Sequence, residues 1–268
     1  MTEALLVAIV SPGAYGAAVG FAALAGAALV VAARRSPPGR ASLSSRLVGA
    51  VLAADALSYV AALVARGSFS PRTSLPLALC NVAVLVSATA CFVPHPLLVE
   101  LAYFWGLTGA LQAIITPDLS VGFPHLVFFQ YVAGHLGIVV AALDLVLGLR
   151  VVPRRAAVVR VTAISAGYTA FVGLMDFLLG ANYMFLRRPP SNWTLLRVLG
   201  PWPWYILGAA GVAIVCFMAL DAPFWGRRRA GGRGRDWHDL PRRPRIDRDA
   251  LPPDGSGVPR PARPSPGR

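Results

Sequence analysis

The sequence of 268 residues contains no lysine, so all 25 of its basic side chains are arginine. Arginine and lysine serve equally well as topology signals in membrane proteins, and the absence reads as a GC-rich codon bias rather than as chemistry. Cysteine is scarce too. Three cysteines make no disulfide framework: Cys80 and Cys91 would stand about 16 Å apart along one helix, out of bridging range, and Cys216 falls in a different apolar run. No Cys or His pair has metal-ligand spacing. There is no GxGxxG, phosphate loop or HExxH, so no metal and no cofactor is expected. Charge is the last shortage. Only 14% of residues are charged, against roughly a quarter in a soluble domain.

What is present is apolar sequence, 56% of the chain. Residues 226–268 hold twelve of the 25 arginines and five of the 12 acids, which leaves a body, residues 1–225, poor in charge. That body has room for about seven spans of roughly 20 residues, the length that crosses about 30 Å of hydrocarbon. Breaks at Arg and Pro/Gly clusters place them near 4–33, 47–65, 75–93, 97–115, 124–149, 156–180 and 202–221. The fold class expected is therefore all-α, a polytopic membrane helical bundle. The opening Met-Thr-Glu lacks a positive n-region, and the apolar run continues to Ala33, too long for a cleaved signal peptide. Pro94-His95-Pro96 predicts a tight hairpin between the third and fourth spans. Gly16, Gly20 and Gly26 are the small residues expected to let helices approach closely.

Orientation follows from arginine placement. Arg34, Arg35, Arg40 and Arg46, then Arg150, Arg154, Arg155 and Arg160, and the basic tail all fall on one face of a seven-span bundle. This predicts the N-terminus outside, the C-terminus in the cytoplasm, and a multi-pass protein of the cell membrane. Trp202, Trp204 and Trp225 suit interfacial belts. Residues 226–268, rich in Arg, Gly, Pro and Asp, cannot bury enough surface to fold alone and read as a disordered cytoplasmic tail. It is expected to lie against anionic lipid headgroups. The formal charge of +13 sits in loops and tail, so nucleic acid is not an expected partner.

Polar groups inside spans are costly and mark candidate sites. Most of them fall in the outer half: Cys80 and Asn81 in the third span; Trp105, Thr108 and Gln112 along one face of the fourth. Tyr131 and His135 lie four apart on the fifth, Asp176 near the end of the sixth with Asn182 and Tyr183 following, and Tyr205 at the start of the seventh. Each admits a plain alternative. Cys80 is either a nucleophile or a small hydrophobe. His135, alone among the four histidines in lying deep in a span, is either functional or an interhelical hydrogen bond. Asn182 and Tyr183 are ligands or a helix cap; Trp105 and Gln112 are substrate contacts or interhelical glue. Asp55, mid-span in the second helix, is a paired structural acid or a proton-linked site. Asp144 and Asp221 are expected to reach the interface, and His95 and His125 flank spans.

The segments LPLALCN (75–81), ELAYFWGLTGALQAIITPDL (100–119), FFQYVAGH (128–135), GANYMFL (180–186) and LGPWPWYIL (199–207) resemble the YwaF-like bacterial integral membrane proteins, a family related to the animal transmembrane protein 164. The animal branch is regarded as a membrane acyltransferase acting on ether phospholipids with a cysteine nucleophile and a histidine partner. By position the resemblance implies Cys80 and His135 in these roles. It also implies membrane phospholipids as substrates; Trp105, Gln112, Asn182, Tyr183 and Tyr205, marked by their polarity in the outer half, are the candidate substrate-binding residues. A thiol ionises near pH 8.5, so the nucleophile needs a neighbouring base, and Gln112 or Asn182 would suit an oxyanion. The competing expectations are a non-enzymatic lipid or small-molecule binder using the same cavity, and a proton-coupled transporter.

Overall fold

The computed structural model describes residues 12–35, 38–67, 69–119, 121–190 and 194–229, and every regular element among them is helical. In chain order these are α1 (Pro12–Arg35), α2 (Pro38–Arg66), α3 (Leu79–Phe92), α4 (Pro96–Ile115), α5 (Leu126–Gly148), α6 (Ala157–Leu179) and α7 (Trp204–Arg229), with a single turn at Leu195–Val198 before the last. All but α3 are long and apolar enough to cross a membrane. The first eleven residues of the chain and most of the expected tail, residues 230–268, lie outside the described set.

The second helix begins at Pro38, nine residues before its expected start at 47, while the third is shorter than expected. It has 14 residues, about 21 Å of rise, and starts four residues later than the apolar run. Residues Leu75–Ala78 are held out of the helix because hydroxyls from elsewhere take their backbone groups: Leu75 N–H donates to Tyr183 Oη at 2.9 Å and Tyr168 Oη donates to Leu77 C=O at 2.9 Å. Ala78 is extended. In α7 the helix runs on past the expected end at 221, through Pro223, to Arg229.

The tight hairpin forms as expected. Phe92 ends α3, Pro96 opens α4, and the His95 ring Nδ1 accepts the Leu97 N–H at 3.3 Å. His125 does the same for α5, accepting the Val127 N–H at 3.2 Å. Two histidines are thus helix caps, each taking one of the amides a helix start leaves unpaired.

Lipid is as apolar as leucine, so close packing and polar links hold such a bundle together. At its centre α2, α3 and α5 meet, with Leu52, Ala88, Ala90, Ile138 and Ala141 buried between them and α4. A Cβ on Gly49 would come within 2.8 Å of Cys91 Cβ and 3.2 Å of the Ala88 carbonyl, so α2 approaches α3 this closely only at a glycine. Of the three glycines expected to allow close approach, Gly26 alone does, against Val140; Gly16 and Gly20 face open space. Two apolar contacts are among those that join the hairpin of α6 and α7 to the rest. One is Phe217 and Phe224 against Phe104 and Tyr103, and the other a separate small cluster of Val172, Ala181 and Tyr183 with Leu75 and Leu77.

The two ends of the bundle differ. The start of α2 meets the ends of α3 and α5 through Ser45 to Cys91 C=O (3.1 Å) and Ser44 to Asp144 (3.2 Å), and Glu100 of α4 is bonded to Arg154 and Arg160. This is the arginine-rich end. The opposite end carries Cys80.

Candidate functional site

Cys80 is the second residue of α3 and half-buried. It stands where the two apolar clusters adjoin, since Leu77 packs in the smaller one and Leu79 against the larger. All three cysteines are free thiols, and Cys91 and Cys216 lie on other surroundings: Cys91 is buried against the start of α2.

His135 lies nine residues into α5, about 14 Å along it, on a helix that packs against α3. Its Nδ1 is 2.8 Å from the Tyr131 carbonyl oxygen. A carbonyl only accepts, so Nδ1 carries the proton and Nε2 is left with a free lone pair. The Tyr131 ring lies over the imidazole, centroids 4.2 Å apart and planes tilted by 35°. The Tyr131 hydroxyl donates to the Ala113 carbonyl of α4 at 2.7 Å. No hydrogen bond joins Cys80 and His135 directly; the Tyr131 ring lies against the imidazole.

The other candidates divide. Trp105, 4% exposed, donates from Nε1 to Ser165 Oγ at 2.9 Å and ties α4 to α6. It sits immediately before a π-turn, Gly106–Ala110, a local widening that recurs at functional sites. Gln112 bonds within its own helix, to Thr116 at 3.0 Å. Asn182 closes the loop after α6: its Oδ1 accepts the Arg187 and Arg188 N–H groups at 2.9 and 3.1 Å, and its Nδ2 donates to Arg188 C=O at 3.0 Å. Tyr183 donates to Pro71 C=O at 2.9 Å while accepting from Leu75, and its own N–H goes to Asp176 Oδ1 at 2.7 Å. The buried Tyr205 hydroxyl donates to the Phe185 carbonyl. Asn182, Tyr183 and Tyr205 are therefore engaged in joining loops that roof the Cys80 end.

Three acids inside the bundle behave differently. Asp55 of α2 presses on the backbone of α5, with Oδ2 2.9 Å from where a Gly134 Cβ would stand, one position before His135. Gln130, one turn earlier, donates to Ser58 of α2 at 2.7 Å. Asp144 does not reach an interface as expected: it is fully buried, in a second π-turn (Asp144–Gly148). Glu100, 1% exposed, accepts from the Arg154 N–H, Nε and Nη2 and from Arg160 Nε and Nη2, at 2.9–3.1 Å. The carboxylate in turn holds the Arg154 guanidinium still more firmly protonated. Glu100 and its arginines were not among the expected site residues. The available signal was a carboxylate one turn into an apolar helix facing a loop with three arginines.

An all-helical bundle with six apolar helices of membrane-crossing length and a shorter seventh defines a multi-pass membrane protein. The model of the TMEM164 family matches residues 6–221, and the chain belongs to that family. The match spans α1 to α7 and includes Cys80, Tyr131 and His135. No curated protein and no solved structure matches the chain.

Proposed function

We propose that this protein is a lipid-directed acyltransferase of the cell membrane in which Cys80 is the nucleophile and His135 the base. The observation that carries the reading is the hydrogen bond from His135 Nδ1 to the Tyr131 carbonyl, 2.8 Å. It leaves Nε2 as the proton acceptor on a helix packed against the one that presents Cys80.

In the first half-reaction the Cys80 thiol gives its proton to His135 Nε2, and the sulfur attacks the ester carbonyl carbon of a phospholipid. The tetrahedral intermediate collapses by breaking the bond to the glycerol oxygen. That oxygen leaves as a lysolipid hydroxyl, taking the proton back from Nε2, and an acyl thioester remains on Cys80. In the second half a different lysolipid hydroxyl loses its proton to Nε2 and attacks the thioester carbonyl; the thiolate leaves and is reprotonated. Ester carbonyls lie just under the headgroups, which suits a thiol at the start of a helix rather than at mid-membrane.

Mass spectrometry of the purified protein after incubation with mixed phospholipids tests this. An acyl adduct is expected on Cys80, absent in Cys80→Ser, unchanged in Cys91→Ser and Cys216→Ser, and either accumulating or missing in His135→Ala. Equal acyl exchange in all three cysteine variants would rule out a cysteine nucleophile. Saturable lipid binding that survives Cys80→Ala, with no adduct in the parent protein, would make the chain a lipid binder.

A further inference from the structure

The arginines of the Cys80 end are out of place. Most loop cations of the body gather at the other end, as topology requires, yet Arg72 of the α2–α3 loop and Arg187 and Arg188 of the α6–α7 loop lie here, all exposed. Two of them converge on one point, the left-handed turn at Gly180 that ends α6. The Arg72 guanidinium lies 3.9–4.0 Å from where a Gly180 Cβ would stand. Arg187 Nη1 reaches the Asp176 and Ala181 carbonyls at 3.5 and 3.4 Å. These contacts are long for hydrogen bonds and leave most of each guanidinium's donors unused. Asp176, whose backbone carbonyl Arg187 reaches, is itself buried, whereas Arg72 and Arg187 are both exposed, so positive charge faces outward.

Two further features say what the charge faces. Trp202 and Trp204, 59% and 63% exposed in the same loop system, are the amphipathic side chains that sit at headgroup level. The loop carrying Arg72 also runs into Cys80 eight residues on, and it is fixed along the way to Tyr183 and Tyr168. A pair of exposed cations on loops beside exposed tryptophans, with one of those loops leading directly into the helix that carries the thiol, suits a lipid whose phosphate lies above its ester carbonyl.

We infer that Arg72 and Arg187 form a phosphate-binding rim that seats the phosphodiester of a phospholipid above Cys80. The inference rests on the acyltransferase reading for its purpose but not for its test. Guanidinium pairs suit a phosphate because their paired donors match its oxygens. Without the rim a lipid would still meet the bundle through its chains.

The test is native mass spectrometry of the full-length protein in detergent micelles, titrated with dioleoylphosphatidylglycerol or with dioleoylglycerol, which lacks the phosphate. Arg72→Gln/Arg187→Gln is expected to bind the phospholipid about tenfold more weakly, the loss of two charge-assisted contacts, and dioleoylglycerol equally well. Arg72→Lys/Arg187→Lys should recover most of the difference, and Arg34→Gln/Arg35→Gln, at the other end, should show none. Displacement of the phospholipid by millimolar inorganic phosphate would make the free anion a ligand of the same rim; resistance to it would assign the rim to lipid. Unchanged phospholipid binding in the double glutamine variant, or equal loss for both lipids, overturns the inference. Thioester formation on Cys80 is read separately, on the parent protein. Absence of a thioester on Cys80 alongside arginine-dependent retention would therefore sink the acyl-transfer reading and leave the rim standing.

Discussion

The arginine-rich end of the bundle has a buried charged cluster beside its serine links, and the Cys80 end is fastened by tyrosine hydroxyls. At the first, one buried carboxylate, Glu100, gathers two arginines from the loop and helix that follow α5. At the second, Tyr15, Tyr131, Tyr168, Tyr183 and Tyr205 each donate to a backbone carbonyl of another segment. A neutral hydrogen bond contributes roughly 1 kcal/mol net, and one to a charged group up to about twice that. The Cys80 end is thus held by several small independent links, each able to yield while the others persist. That arrangement would suit the proposed admission of lipid to Cys80.

The largest effect is expected where the charge is concentrated. Glu100→Gln removes the counter-charge of Arg154 and Arg160 and keeps at most one acceptor oxygen. Breaking a fully buried pair costs about 3–5 kcal/mol. Both arginines here are a third or more exposed, so screening reduces the loss to about 2–3 kcal/mol. Thermal unfolding in detergent should show a clearly lowered midpoint. A midpoint equal to the parent's would mean that packing alone closes this end and the contrast with the tyrosine end is empty.

A middle-sized effect belongs to Tyr183→Phe. It removes one hydroxyl that serves both Pro71 C=O and Leu75 N–H, with a cost of about 1–2 kcal/mol confined to the α2–α3 loop. Hydrogen exchange at Leu75 and maleimide labelling of Cys80 should both accelerate, while global unfolding moves little. Acceleration spread over α4 and α5 as well would show that the links are cooperative rather than independent.

Much of this architecture was legible from residues alone. Spans of apolar sequence are read well because a membrane helix satisfies its backbone within itself, whatever its neighbours do. Apolar helices of membrane-crossing length stand at six of the seven expected positions, α2 and α7 longer than expected, and the Pro94-His95-Pro96 hairpin forms between α3 and α4. The start of α3 was not legible, because the hydroxyls that hold Leu75 and Leu77 out of the helix come from residues 108 and 91 positions away. Glu100 escaped for the same reason, its partners being 54 and 60 positions distant. Cys80 and His135 were marked by polarity, but their pairing came only from the family resemblance. The stacking of the Tyr131 ring over the His135 imidazole needs the fold. Gln112 and Asn182, weighed as oxyanion donors, instead make short-range bonds within a helix and a loop.

The smallest effect sharpens the contrast by staying within the arginine-rich end. Asp144 is as buried as Glu100, boxed by Ala33, Gly148 and Ser44, yet only Oδ1 has a partner, the Ser44 hydroxyl at 3.2 Å, and Oδ2 has none. An isolated carboxylate enclosed in this way costs several kcal/mol when ionised, so the fold is better served by a neutral group there. Asp144→Asn keeps an oxygen for Ser44 and puts an uncharged amide where Oδ2 stood. The unfolding midpoint should therefore change by the equivalent of less than about 1 kcal/mol, in either direction. A loss as large as that of Glu100→Gln would mean that Asp144 is charged and compensated by a bound water or cation. Burial alone would then be no guide to which acids in this bundle carry charge, and only the arginines on Glu100 would separate the two.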